Sequence, residues 1–422
     1  VMLHHTWTYQ ALAHDLLTLA LNRVSLKPTE QHAQTRTYDL DVKGDSFWAA
    51  NAGRPFPQVA EAVEAALAAY RKDVEAVNAQ AGAVGGDTLF DETQLAQGGA
   101  SDALSRAVAQ LPELRKRKQI IDMHTNIATA LLDCIKDRAL DGFFQLEDQL
   151  MSASARAAVE TESVLSLLRD PARGTPLDKL RLALIFYLSA AAAGSEQGSI
   201  AQVREALTAG GCVDVRALDY AADLKAFSPS AAAAASLMVG TPQRAGVPGT
   251  RDQKNAAAAG LDGAGGSHLE KLMSTVVEHG VKGLTQVAQN FNKLIIEDDK
   301  ALPVARLVDA LMENRSPNDT SATGTAASSA LATANDFVLF DPKAPKNSAP
   351  ARASQRPFHQ AIVLVVGGGN YVEYQNILDH TKPGRSVVYG STELCNSEQF
   401  VAQLSSLTGR EAPEAIAPAV DG

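Results

Sequence analysis

The chain ends on two short strand-helix units that cannot make a stable sheet by themselves. Ala361 to Val366 is an unbroken apolar run rich in β-branched residues, which predicts a strand buried on both faces. Gly367, Gly368 and Gly369 follow it, and Tyr371 to Leu378 then reads as a helix. Ser386 to Tyr389 predicts a second strand and Ser397 to Leu407 a second helix. Strand alternating with helix implies α/β architecture. The partner strands must come from elsewhere, near the N-terminus or upstream of it. The expected fold is therefore α/β plus α: a discontinuous parallel-sheet α/β domain interrupted by a large, mostly helical insertion domain.

The insertion is legible as helices. Hydrophobic residues make up 45% of the 422 but aromatics only 5%, so the apolar fraction is carried by Ala, Leu and Val, which favours helix. Near the start, Leu12, Leu16 and Leu19 recur at helical spacing, and a turn-rich connector with Pro28 follows. From Pro57, Val59, Val63, Ala66, Leu67, Tyr70, Val74 and Val77 mark one long amphipathic helix. A glycine-rich tip spans 81–100, and a second helix starts at Ser101 or Asp102 and runs through Leu104, Val108 and Leu111 to Pro112; together these predict a helical hairpin. Periodicity resumes from Lys118 to Leu150 through Ile121, Ile127, Leu131, Leu132, Ile135 and Leu140, then at Val159–Leu168, Leu177–Ala193 and Ile200–Ala209. The near-apolar run Leu182–Gly194 falls short of the about 20 residues that cross a bilayer and reads as a buried helix.

Several chemistries are disfavoured. A net charge of −10 argues against nucleic acid as a partner, since phosphate readers carry a basic stripe. Cys134, Cys212 and Cys395 lie far apart with no C-x-x-C pair and read as inert core thiols of a reducing compartment. His4 and His5 would point to opposite faces of a strand, and no H-x-x-x-H or H-E-x-x-H spacing occurs, so no metal or other cofactor is expected. Asp122 and His124 invite an acid/base pair, against which stands a satisfied core network. The Gly367-Gly368-Gly369 loop suits a phosphate in principle, but no G-K-[ST] accompanies it and G-x-G-x-x-G fails; nucleotide binding stays open as a rival to a structural β-α turn. The basic run Arg115, Lys116, Arg117, Lys118 is either a solvated helix face or a dock for an acidic partner helix. No cationic n-region or signal-peptide core precedes the chain's first helix, which predicts a cytosolic protein, and the start at Val1 reads as cut from something longer.

One segment stands apart. Between Phe227 and Gly266 alanine runs, prolines and glycines predict a mobile excursion, as does the Ser/Thr/Ala-rich stretch Asn314–Ala334. After the first comes a helix, His268–Ile296, with an apolar stripe of Leu269, Leu272, Met273, Val276, Val277, Leu284, Val287, Phe291, Leu294 and Ile295 against an uncharged polar face. From Thr241 to Ile296 six basic residues face four acidic ones, a balance of +2 that leaves −12 for the rest. Such a tethered helix is expected to lie on its own protein or to leave it for a membrane or a partner.

Taken together, H-T-W-T-Y-Q-A-L-A-H-D-L-L from His5, L-P-E-L from Leu111, I-D-M-H-T-N-I-A-T-A-L-L-D from Ile121, L-D-G-F-F from Leu140 and V-V-G-G-G-N-Y-V-E-Y-Q-N-I from Val365 resemble the Sec/Munc family of SNARE chaperones, most closely its Sly-type branch in ER-to-Golgi traffic. The resemblance implies an arch of three domains, of which this chain would hold the end of the first half of domain 2 (1–40), domain 3 (41–355) and the returning half of domain 2 (356–422). Domain 1, with the syntaxin N-peptide pocket, would be absent. It further implies a non-enzymatic protein, peripheral on ER/Golgi membranes and transport vesicles, whose hairpin (57–118) aligns SNARE helices, a Golgi syntaxin and an R-SNARE, before they zipper into the four-helix bundle. Leu104, Val108, Leu111, Pro112 and Arg115 are the expected SNARE contacts. Residues 229–296 would form an autoinhibitory lid whose helix meets vesicle membrane, with vesicle tethers as further partners. A nucleotide-binding α/β enzyme and a generic helical tethering scaffold remain the alternatives.

Overall fold

The computed structural model of the chain describes residues 2–27, 34–82, 99–152, 155–192, 200–227, 301–313 and 357–409. The excursion expected after Phe227, the helix expected at His268–Ile296 and the linker Asn314–Ala334 lie outside the described residues, as does most of the hairpin tip. The described residues form two compact units: one within 7–136, the other made of 2–6, the described part of 137–227, 301–313 and 357–409.

In the unit within 7–136, α1 (Tyr9–Leu16) leads into an antiparallel sheet, β1 (Thr18–Ala20), β2 (Arg23–Leu26) and β3 (Arg36–Asp39), in that spatial order. Here the expectation is corrected: Leu19 belongs to a strand, not to a helix continuing from Leu12. Leu21 and Asn22 adopt φ of 51° and 59°, the left-handed pair that turns a two-residue hairpin in step with strand twist. Leu19 then faces Val24, and both are buried with Leu26, whereas the turn leaves Leu21 in solvent. The chain continues into α2 (Ser46–Asn51), α3 (Phe56–Gly82) and α4 (Gly99–Asp137).

The helix expected to stop at Pro112 does not. Pro112 sits inside the 39-residue α4. An interior proline costs a helix about 3 kcal/mol, one hydrogen bond and a clash with the preceding turn. The run Glu113-Leu114-Arg115-Lys116-Arg117-Lys118-Gln119 beyond it is rich in strong helix formers, and the following turns are fixed by burial of Ile121, His124, Ile127, Ala128, Leu131, Leu132 and Ile135. That stripe recurs every three or four residues, as the sequence requires of one packed helix face.

The second unit contains α5 (Leu140–Met151), α6 (Thr161–Arg169), α7 (Pro176–Ala192), α8 (Ile200–Ala209) and α9 (Arg216–Phe227). Its centre is α7, where Leu180 and Leu182 to Phe186 are buried. Among the described residues no helix is long and apolar enough to cross a membrane. Three charged residues enter α7's buried face and each is answered. Lys179 Nζ donates to the Gly210 carbonyl at 2.7 Å, Arg181 Nε donates to the Leu3 carbonyl at 2.7 Å, and Asp178 accepts from Arg138.

The same unit holds α10 (Pro303–Glu313), β4 (Gln360–Gly369), α11 (Tyr371–His380), β5 (Ser386–Leu394) and α12 (Ser397–Ser406). β4 and β5 pair in parallel, with a register shift between Val365 and Gly368. β4 is not buried on both faces: Ile362, Leu364 and Val366 are 82%, 66% and 84% exposed, while Ala361, Val363 and Val365 on the other face are half-buried, because among the described residues only β5 pairs with it and one face is uncovered. Lys382 and Arg385, ahead of β5, hold α10 through Asp309 and Glu313, with Lys382 Nζ 2.6 Å from Glu313 Oε1. Hydrogen bonds from those two cations hold the Glu313 carboxyl at about 2.

Candidate functional site

The hairpin's base is assembled from three helices around one buried histidine. The Tyr9 ring lies near Phe56 at the start of α3 and near His124 on α4, tilted to both, while Asp73 further along α3 meets Arg117 earlier on α4 at 2.5 Å. Rising positions on α3 thus meet falling positions on α4, so the two helices run antiparallel. At 1.5 Å per residue α3 is about 40 Å long and α4 about 58 Å, a long surface for another helix.

His124 is the peg. Its Nε2 is 2.7 Å from Asp45 Oδ2 and its Nδ1 2.9 Å from the Tyr9 hydroxyl, and its ring lies against Phe47 and parallel to Trp48. Asp45 also caps α2 by accepting the Trp48 N–H at 2.9 Å. Burial works to raise the Asp45 carboxyl, but the His124 hydrogen bond and the α2 amides outweigh it and hold the group below its usual value. Burial, then the nearby Asp45 charge, push the Tyr9 hydroxyl well above 10. The imagined Asp122–His124 pair therefore does not form: Asp122 is exposed and meets Lys118 at 2.8 Å. His124 is the satisfied core histidine.

Beside this peg lies a groove of about 800 Å3. Phe47, Ala49, Ala50, Ala66, Ile120 and Ile121 supply its apolar lining, and Lys43, Glu113, Lys116 and Arg117 carry its charges. Small residues on α2 and α3 admit a close approach by another backbone. Arg117 is engaged by Asp73, whereas Lys43 and Lys116 are exposed and stand outside every ion pair among the described residues. The basic run is thus divided: Arg117 and Lys118 are tied to this chain's own acids, Arg115 and Lys116 face solvent. This groove was not read from the sequence. Its signal was the distance between parts: Asp45 to Trp48 lies some 70 residues from the basic run, and nothing local links them.

Of the residues expected to contact a partner, Leu104, Val108 and Leu111 lie on α4 with side chains outside the described residues. Pro112 and Arg115 are both exposed and flank the groove residues Glu113 and Lys116. The lid set, Leu269, Leu272, Met273, Val276, Val277, Leu284, Val287, Phe291, Leu294 and Ile295, lies wholly outside the described residues.

The three glycines, expected as a loop, are instead the last residues of β4, which pairs with β5, and they serve packing. A Cβ on Gly368 would stand 2.6 Å from Cys395 Sγ, and one on Gly369 2.6 Å from Ser391 Cβ, so neither position admits a side chain. Amides around these glycines are spoken for: Gly367 N–H donates to Thr392 Oγ1, Asn370 N–H to the Tyr389 hydroxyl, and Glu373 N–H to the capping Asn370 side chain. Glu373 adds an acid at the helix start, where an anion would have to sit. Cys212 and Cys395 are buried, and burial pushes the Cys212 thiol up to about 11 and raises that of Cys395. Among the described residues no group of three or more His, Cys, Asp or Glu is placed to hold a metal ion.

A long helical hairpin joined in one chain to a parallel β-α unit gives a fold of the α/β plus α class. The chain belongs to the Sec1 family, whose model matches residues 1–403. It is 37% identical over 425 residues to "Sec1 family domain-containing protein 1" of Homo sapiens, covering 96% of this chain and 58% of that one. It is 32% identical over 416 residues to "Protein sly1" of Schizosaccharomyces pombe, covering 96% and 59%. Among solved structures it is similar to Sly1p in complex with an N-terminal peptide of Sed5p, with a TM-score of 0.65 and 25% identity over 97% of this chain and 57% of that one. It shares its fold with the SM protein Vps45 solved with the Qa SNARE Tlg2 (TM-score 0.51, 16% identity, 97% of this chain and 57% of that one). The chain spans less than three fifths of the length of these relatives.

Proposed function

We propose that this chain is the SNARE-aligning part of a Sec1-family protein that acts in vesicle fusion between ER and Golgi. The observation that carries the reading is the groove at the hairpin base, with its small apolar lining and its two unpaired lysines at the rim, continuous along α4 with Pro112 and Arg115. A SNARE helix is amphipathic and acidic on its flanks; laid along α4 it would set apolar side chains against the lining and acids against Lys43, Arg115 and Lys116. Leu104, Val108 and Leu111, further along α4 towards the hairpin tip, are proposed as contacts of the same helix. Holding two such helices in register removes part of the nucleation cost of the four-helix bundle, which is catalysis without covalent chemistry.

In this reading residues 1–40 and 356–422 belong to one α/β domain and 41–355 to the helical insertion. Residues 229–296 form a lid over the template, and their helix meets curved vesicle membrane through its apolar stripe. The partners are a Golgi syntaxin, an R-SNARE, their four-helix bundle and vesicle tethers, and the protein works without a cofactor, peripherally at ER, Golgi and vesicle membranes.

Deleting residues 235–296 is expected to raise SNARE binding, and replacing Leu284, Val287 and Phe291 by Asp is expected to abolish binding to small liposomes. If both variants match the parent in both assays, the lid reading is wrong. Pull-down of a preassembled Golgi SNARE bundle against single SNAREs separates an aligning chaperone from a passive scaffold, and calorimetry with ATP, GTP and NAD tests the nucleotide rival.

A further inference from the structure

A second buried histidine is bound differently from His124. His5 Nδ1 is 2.8 Å from Glu147 Oε1 on α5, and its Nε2 is 3.0 Å from Asp178 Oδ1 on α7. The backbone N–H of His5 donates to the other Glu147 oxygen at 2.8 Å. All three side chains are buried. A neutral imidazole has one N–H and one lone pair, so it can satisfy only one of two ionised carboxylates; the second contact would set lone pair against lone pair. An imidazolium donates to both. The remaining charges around the ring are Arg181 on α7, whose Nε holds the Leu3 carbonyl, and Arg138, which donates to Asp178. His4, stacked on Phe144, is the neighbouring titratable group, and burial brings it down to about 4, so it contributes no charge at neutral pH. Thr175 completes the Asp178 shell through its N–H and hydroxyl, each at 2.8 Å.

These contacts fasten a strap. Residues 2–6 touch α5 through His4 and His5 and α7 through Leu3 and His5, and the Met2 side chain reaches Gly368 at the end of β4. We propose that His5 is a fixed imidazolium locking this strap across α5 and α7, and that removing its charge releases residues 2–6. Burial and the Arg181 charge favour the neutral ring, but the Glu147 charge and the Asp178 and Glu147 hydrogen bonds outweigh them, so His5 titrates above its ordinary 6.5. A raised histidine stabilises fully below its unfolded value, and that contribution is lost as pH rises through the folded value. The strap is therefore expected to open on the alkaline side.

The test uses the 422-residue chain with 15N-labelled histidine. At pH 7 the His5 ring, assigned by its loss in His5→Gln, should show two protonated nitrogens. Hydrogen exchange of residues 2–6, corrected for intrinsic rate, should quicken by at least about tenfold as pH rises through the His5 transition. Glu147→Gln offers an amide N–H to a neutral ring while its oxygen keeps the backbone contact, so it should make that protection independent of pH. A single protonated nitrogen at pH 7, which would place the proton on Glu147, overturns the proposal. So does strap protection that is unchanged to pH 10 in the parent chain, a readout that stands even where a variant fails to fold.

Discussion

His5 and His124 are both fully buried, yet their surroundings make them different devices. His124 has a carboxylate on one nitrogen and on the other a phenol, which can donate or accept, so one N–H and one lone pair are enough to complete the chain Tyr9–His124–Asp45. His5 has a carboxylate on each side and is complete only as a cation. The first is a hydrogen-bonded peg at the base of the helical hairpin; the second, as proposed above, is an ionic lock on a strap. Residue type and burial do not separate them. The second hydrogen-bond partner does.

The contrast can be broken most forcefully at Asp178. Replacing it by Ala leaves His5 and Arg138 without their shared carboxylate and is expected to destabilise the chain by about 3–5 kcal/mol in denaturant unfolding, the cost of stranding buried charge. A loss below about 1 kcal/mol would show that no ionic lock exists there. Tyr9→Phe is expected to cost about 1–2 kcal/mol, since it removes one hydrogen bond and leaves a ring nitrogen unanswered. A cost equal to that of Asp178→Ala would erase the distinction between peg and lock. Alkaline titration sharpens it from another side. Stability carried by His5 falls as pH rises through its raised value, whereas acid removes what Asp45, Asp178 and Glu147 contribute as pH falls through their depressed values. Arg117→Ala breaks a half-exposed pair with Asp73 and should change stability by less than about 1 kcal/mol. A larger effect would make the hairpin's ion pair, and not its buried peg, what holds α3 to α4.

Much of this architecture can be read locally. Ile121, Ile127, Leu131, Leu132 and Ile135 repeat at helical spacing and are buried as that spacing requires, and the two C-terminal strand-helix units start within a residue of where the sequence places them, although β4 and β5 run on to Gly369 and Leu394. What cannot be read is set by long-range contact. Leu19 continues a helical pattern on paper, but a left-handed turn at Leu21 and Asn22 folds it into a sheet. Pro112 looks like a stop and is carried through by the packed turns beyond it. The partners of His5 lie 142 and 173 residues away, and those of His124 lie 79 and 115 away, so no motif announces either network. The exposed pair Pro112 and Arg115 was visible as chemistry; the groove beside it required α2 to be brought against α4.

The docking role rests on the unpaired rim of that groove, and one titration bears on it most directly. The affinity of a Golgi SNARE four-helix bundle for the 422-residue chain would be compared with its affinity for the Lys43→Glu/Lys116→Glu variant at two salt concentrations. The expected result is binding by the parent that weakens with salt, and a loss of at least about tenfold in the variant with its circular dichroism unchanged. Equal affinity for both chains at both salt concentrations would contradict the assignment of this groove to SNARE helices.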